Sequence, residues 1–211
     1  MDLPDDITLH VARRAADADL PLTTLSEAEC ATLADFGSAK RQREYALGRT
    51  AARRLLAQRL GVPEAAVPLR VADDGAPEVE GVALHLSLAH VATARQTLAA
   101  AVAAPHHVGV DLERIRPRRP DLYTFLLDPE EYGLLDALPH PHDEAQILIW
   151  TLKEAVLKAM RTGFRLSPKK IRLTLGDVNG YAEAKLKDGT AWSLRYTRRD
   201  RCFLAVAFPR G

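Results

Sequence analysis

His107-Val108-Gly109-Val110-Asp111-Leu112-Glu113 is the stretch from which the rest of the chain can be ordered. Its valines and leucine alternate with a glycine and two acids, the period of two that a β-strand imposes. On that period Val108, Val110 and Leu112 point into a core, and Gly109, Asp111 and Glu113 line the opposite face. Two carboxylates then project side by side. Like charges so close raise each other's pKa unless a cation intervenes, and paired oxygen ligands suit a hard ion such as Mg²⁺. A solvated strand end whose acids pair with Arg114, Arg116, Arg118 or Arg119 accounts for the same pattern.

Two apolar segments precede this strand. Val82 to Ala89 alternates, with Leu84, Leu86 and Leu88 on one face, and Leu98 to Ala104 is apolar almost throughout, so both are predicted strands. Pro105, His106 and His107 interrupt the pattern and suggest a boundary, giving subdomains of residues 1–107 and 108–211. Downstream, Leu122 to Leu138 predicts a helix or two and Gln146 to Met160 a firm helix. Ile171 to Leu175, Ala182 to Leu186, Trp192 to Tyr196 and Phe203 to Phe208 predict short strands, with Asp188-Gly189 as a hairpin turn. Strands and helices in both halves argue for an α+β fold of two packed subdomains.

A further helix is predicted from Ser38 to Leu60, closed by Gly61 and Pro63. Tyr45, Ala52, Leu55, Leu56 and Leu60 form its apolar stripe, with Arg49 inside the stripe and Arg53 at its margin. Guanidinium groups so directed require a carboxylate or a phosphate. In the helix around residues 150–160, Ile149, Val156, Leu157 and Met160 mark the buried side, and Lys153 falls among them and must have a partner. Glu154 and Lys158 stand i,i+4 on an adjacent face beside Trp150, a spacing that by itself is also that of an ordinary surface ion pair.

Composition narrows the function classes. The 211 residues are 47% hydrophobic and 27% charged, enough for a substantial core, and 29 Lys and Arg against 28 Asp and Glu leave a net charge of +1. That balance gives no general electrostatic reason to bind nucleic acid or a membrane. The longest apolar stretches fall far short of the roughly 20 residues needed to cross a bilayer. Cys30 and Cys202 have no metal-ligand spacing, and MDLPDDITLH has no basic region followed by an apolar run, so a reducing cytoplasm is the expected location.

GVDLE, followed some forty residues on by WTLKEAVLK, resembles the paired signature of the 4′-phosphopantetheinyl transferases, G-x-D-x-E and W-x-x-K-E-x-x-x-K. LSLAHV is similar to the family's Ser-His segment, FLLDPEE to its phenylalanine-to-glutamate stretch, and Gly163-Phe164-Arg165-Leu166-Ser167 to the loop after the catalytic helix. The length resembles that of the long, monomeric type that activates surfactin synthetase.

The resemblance implies two similar α/β subdomains related by a pseudo-twofold, with nucleotide and metal held between them. It implies that Asp111, Glu113 and Glu154 hold Mg²⁺, and that Lys158 reaches the phosphates of coenzyme A and steadies the leaving group. Glu154 is implied as the base for the attacking serine, directly or through a metal-bound water. Lys40, Arg41, Arg49, Thr50 and Arg53 would lie on the 3′-phosphate side and His90 on phosphate oxygens, although a strand-end histidine also caps backbone groups. The implied partners are coenzyme A and an apo acyl or peptidyl carrier protein. The carrier surface would be basic or apolar, with Arg116, Arg118, Arg119 and the surroundings of Phe125 as candidates.

Two positions depart from the family pattern. Ala89 stands where a serine is common, and Ala76 where G-K-P would supply a lysine, leaving backbone contacts there. A Mg²⁺-dependent coenzyme A or nucleotide hydrolase, and a non-catalytic coenzyme A-binding module, are the alternatives that share these residues.

Overall fold

Ser26 begins the first ordered helix because its hydroxyl accepts from Glu29 N while Glu29 Oε2 accepts from Ser26 N, a reciprocal cap. The structure, a computed structural model, describes residues 1–118, 121–176 and 180–211, and within them all side chains but those of Asp121, Tyr123 and Phe164. Contacts divide the chain into two units, Pro4–Pro105 and His106–Gly211, the second joined by Met1–Leu3. Both combine helices and antiparallel sheet, so the chain is α+β.

In the first unit β1 (Thr8–Ala15) is followed by α1 (Glu27–Ala34), α2 (Ala39–Leu60), β2 (Leu69–Val71), β3 (Pro77–Val79), β4 (His85–Ala92) and β5 (Gln96–Ala104). A three-stranded sheet runs β1-β5-β4, and β2 and β3 form a separate hairpin. The alternate alanines of β5, Ala99, Ala101 and Ala103, pack with Leu47, Ala51, Ala52, Leu55 and Leu56 of α2. Small side chains on both surfaces let helix and sheet approach closely, and burial of this apolar area stabilises the unit at roughly 25 cal/mol per Å².

The second unit contains β6 (Gly109–Arg114), α3 (Asp121–Leu126), α4 (Gly133–Ala137), α5 (His142–Ala159), β7 (Arg172–Leu175), β8 (Tyr181–Lys185), β9 (Ala191–Arg199) and β10 (Cys202–Pro209). Its five-stranded antiparallel sheet has the order β6-β10-β9-β8-β7. Ile147, Leu148, Leu152, Ala155, Val156 and Ala159 of α5 share a core with Trp192, Leu194, Tyr196, Phe203, Ala205 and Ala207 of the sheet. The Asp188-Gly189 turn joins β8 to β9, with Asp188 Oδ1 accepting from Thr190 N at 2.9 Å.

Val108, Val110 and Leu112 are buried, and the opposite face of β6, with Gly109 and Asp111 buried and Glu113 half-buried, is covered too. Gly109, Asp111 and Glu113 pair with Ala207, Ala205 and Phe203 of β10, the residues that lie against α5. A side chain at Gly109 would bring its Cβ to 2.0 Å from Ala155 O and 2.4 Å from Ala159 N. The missing side chain therefore sets how closely α5 seats on β6, and the two acids emerge where the helix passes over the strand.

Candidate active site

Asp111 and Glu113 come from β6, and Trp150, Glu154 and Lys158 from successive turns of α5. Lys158 Nζ donates to Asp111 Oδ1 at 2.7 Å. Trp150 Nε1 donates to Glu113 Oε1 at 3.2 Å, and Arg118 Nη2 to Glu113 Oε2 at 2.5 Å. Burial first, and then the neighbouring Asp111 carboxylate, push Glu113 above the ordinary carboxylate range, although Arg118, Trp150 and Lys158 pull the other way. Glu154 is pushed up to about 7 by burial first, then by Asp111 and Glu113, with Lys158 opposing. Three acids crowded on half-buried ground, with too few cations to offset them, form an electrostatic demand for positive charge.

Two oxygens express that demand directly. Asp111 Oδ2 and Glu154 Oε1 are buried and accept no hydrogen bond. Orphaned carboxylate oxygens of this kind suit a hard divalent cation, so the donor set fits Mg²⁺ in its chemistry. It is not preassembled: among the described residues no three His, Cys, Asp or Glu side chains are grouped as ready metal ligands. Lys158 sits on Asp111 and Arg118 on Glu113.

Lys153, which the helical pattern buried, finds its partner in Glu131. Its Nζ donates to Glu131 Oε2 at 2.7 Å and to Leu126 O at 2.9 Å, and Glu131 Oε1 accepts from Leu173 N at 3.2 Å. Burial holds the lysine below its ordinary range, against the opposing pull of Glu131. The pair ties the segment after α3 and the start of β7 to the helix that carries Glu154. Phe125, 45% exposed, stands 6.2 Å from the Trp150 ring, an apolar platform beside the carboxylates.

The residues expected on the 3′-phosphate side all lie in the first unit, and the structure separates them. Arg53 is 1% exposed; its Nε donates to Glu29 Oε2 at 2.6 Å, and its Nη1 to the carbonyls of Glu64, Ala65 and Val67. Thr50 is fully buried, its hydroxyl 2.7 Å from that of Thr24. Both groups find partners inside the unit, Thr50 in a hydroxyl and Arg53 in a carboxylate and three carbonyls.

Arg49 differs. Its Nε lies 3.8 Å from Glu29 Oε1, its guanidinium sits 5.4 Å from the centre of the Tyr45 ring, and its Nη1 is buried without a hydrogen bond. Lys40, largely exposed, stands 3.8 Å from Glu44, and Arg41 lies over Phe36. His90 is exposed at the end of β4, against Gly48 of α2. Ala89 is buried within β4, and Ala76 sits in the β2–β3 turn with its N–H already given to Asp74 Oδ1 at 3.0 Å.

Sequence reading passed over Glu29, although Ser26-x-x-Glu29 is a capping-box pattern that marks a helix start. It offered Arg118 both as a partner for the acids of the strand and as a candidate for the carrier surface, and the structure sets it on Glu113. Arg119 lies outside the described residues.

Fold and site together define a class: an α+β chain whose second unit gathers carboxylates and a lysine suited to a divalent metal and phosphate. The family model described as the 4′-phosphopantetheinyl transferase superfamily matches residues 107–206, and that described as the 4′-phosphopantetheinyl transferase N-terminal domain matches residues 30–104. The chain belongs to the 4′-phosphopantetheinyl transferase superfamily. It is similar to a 4′-phosphopantetheinyl transferase of Bacillus subtilis, with 26% identity over 136 residues, a stretch that is 63% of this chain and 58% of that relative. No helix among the described residues is long and apolar enough to cross a membrane.

Proposed function

We propose that this protein transfers the 4′-phosphopantetheine group of coenzyme A to a serine of an apo acyl or peptidyl carrier protein, releasing adenosine 3′,5′-bisphosphate. The observation that carries the reading is the pair of buried carboxylate oxygens without partners, Asp111 Oδ2 and Glu154 Oε1, on acids that flank Lys158 and interact electrostatically with Glu113. Family membership supplies the reaction, and the relative's name agrees with it.

Asp111, Glu113 and Glu154 would hold Mg²⁺, which when bound neutralises charge on the phosphates. Glu154, the carboxylate on α5 beside Lys158, accepts the proton of the carrier serine. The serine oxygen attacks the β-phosphorus, the bond from that phosphorus to the bridging oxygen breaks, and the bisphosphate leaves with the bond's electron pair. Lys158, one turn beyond Glu154, offers its ammonium to the departing phosphate. Arg49, with its unpartnered Nη1, the exposed Lys40 and Arg41, and the exposed His90 imidazole are the groups proposed for the nucleotide. Phe125 and the exposed Arg114 and Arg116 form the proposed ground for the carrier, whose serine lies among acids.

The test is to incubate the purified chain with coenzyme A, Mg²⁺ and a panel of apo-carriers and weigh the carriers intact. A mass gain equal to phosphopantetheine on at least one carrier is expected. No gain on any of them overturns the reading: bisphosphate released without an acceptor would then indicate a hydrolase, and coenzyme A binding without release a non-catalytic module.

A further inference from the structure

Arg118 belongs to neither signature motif, yet it holds one of the three acids. Its Nη2 is 2.5 Å from Glu113 Oε2, with the two side chains 25% and 23% exposed, and its own Nε is buried without a hydrogen bond. Because Trp150 takes Glu113 Oε1, both oxygens of this carboxylate are engaged. On the other acid of the strand, Lys158 occupies Asp111 Oδ1. Two single positive charges thus stand on the pair of carboxylates, together matching the charge of one divalent ion.

These positions have a thermodynamic consequence. A divalent cation that draws on Glu113 Oε2 must displace the guanidinium, so metal binding works against the Arg118–Glu113 pair. Once displaced, Arg118 is left as a planar, permanently charged fork beside the carboxylates, a group whose donors match phosphate oxygens two at a time. Lysine at position 118 would keep the charge but lose the fork.

We propose that Arg118 is a placeholder cation. It holds Glu113 in the metal-free protein, competes with the divalent metal for that carboxylate, and on displacement becomes a positioning contact for the phosphates of coenzyme A. The inference rests on the reading of Asp111, Glu113 and Glu154 as a metal site.

Binding of Mn²⁺ alone, followed by electron paramagnetic resonance without coenzyme A, separates the two ideas. Arg118→Ala and the closer-shaped Arg118→Gln are expected to bind Mn²⁺ about fivefold more tightly than the unsubstituted chain, the scale of one partly exposed ion pair. Arg118→Lys should bind it close to the unsubstituted chain. With Mg²⁺ saturating, Arg118→Ala should raise KM for coenzyme A, and Arg118→Lys should restore it only in part. Equal or weaker Mn²⁺ binding by both neutral variants overturns the role of Arg118 while leaving the metal site intact. If the unsubstituted chain binds no Mn²⁺, or Asp111→Asn and Glu154→Gln bind it as well as the unsubstituted chain does, the carboxylate site itself falls, and the placeholder with it.

Discussion

Glu154 is an acid that its surroundings make into a base. Without a bound metal, burial and the neighbouring Asp111 and Glu113 push its carboxyl up to about 7, and the proposed role is to take the proton of the carrier serine. Replacing it by an amide keeps the shape and removes that capacity. Glu154→Gln is expected to lower the turnover of carrier serine by at least about 10²-fold while coenzyme A binding, measured calorimetrically, largely survives. Turnover at the unsubstituted rate would refute the assignment. Arg49 makes a separate prediction, because its buried Nη1 lacks a partner in the free protein. Arg49→Ala should raise KM for coenzyme A about tenfold, the scale of one charged hydrogen bond, and KM for dephospho-coenzyme A much less. Equal effects on both substrates would count against a contact to the 3′-phosphate.

At the scale of the element, α5 is positioned by two contacts of opposite kind. One is the close seating on Gly109, where any Cβ would meet the backbone of Ala155 and Ala159. Gly109→Ala must push helix and strand apart, at a cost of about 1–3 kcal/mol in stability, readable in urea unfolding. The displaced α5 should also bind Mn²⁺ more weakly; a variant with unchanged stability and metal affinity would show that the helix can shift at no cost. The other contact is the Lys153–Glu131 pair, buried on both sides. Removing one partner strands a charge, so Lys153→Met is expected to lose about 3–5 kcal/mol, and the double variant Lys153→Met, Glu131→Leu to recover part of it. The helix and its periodic faces were legible in sequence, since Lys153 among apolar residues announced that a partner was needed. Glu131 itself was not, because it lies 22 residues away in a short turn that has no period to read.

For the whole molecule, a net charge of +1 means that attraction for an acidic carrier has to come from a local surface. The exposed Arg114 and Arg116, close in sequence to Glu113, are the surface proposed for it. Arg116→Glu should raise KM for the carrier and leave KM for coenzyme A unchanged, and rising salt should mimic the substitution as screening shortens to about 8 Å at physiological ionic strength. Equal loss for both substrates would place Arg116 in the nucleotide site instead. The sequence by itself determined the α+β class and, through G-x-D-x-E and W-x-x-K-E-x-x-x-K, the family and the acids that carry the proposed chemistry. The class follows because strand and helix periods fix which neighbours in sequence share a face, and the family follows from the resemblance of those two motifs to its signature. Only the tertiary structure decided which cation each acid meets: Arg118 on Glu113, Lys158 on Asp111 from 47 residues away, and Arg53 on Glu29 from 24. Lys158 and Asp111, and Arg53 and Glu29, are brought together by packing across the chain, and which of the four nearby arginines meets Glu113 is likewise encoded by no local period.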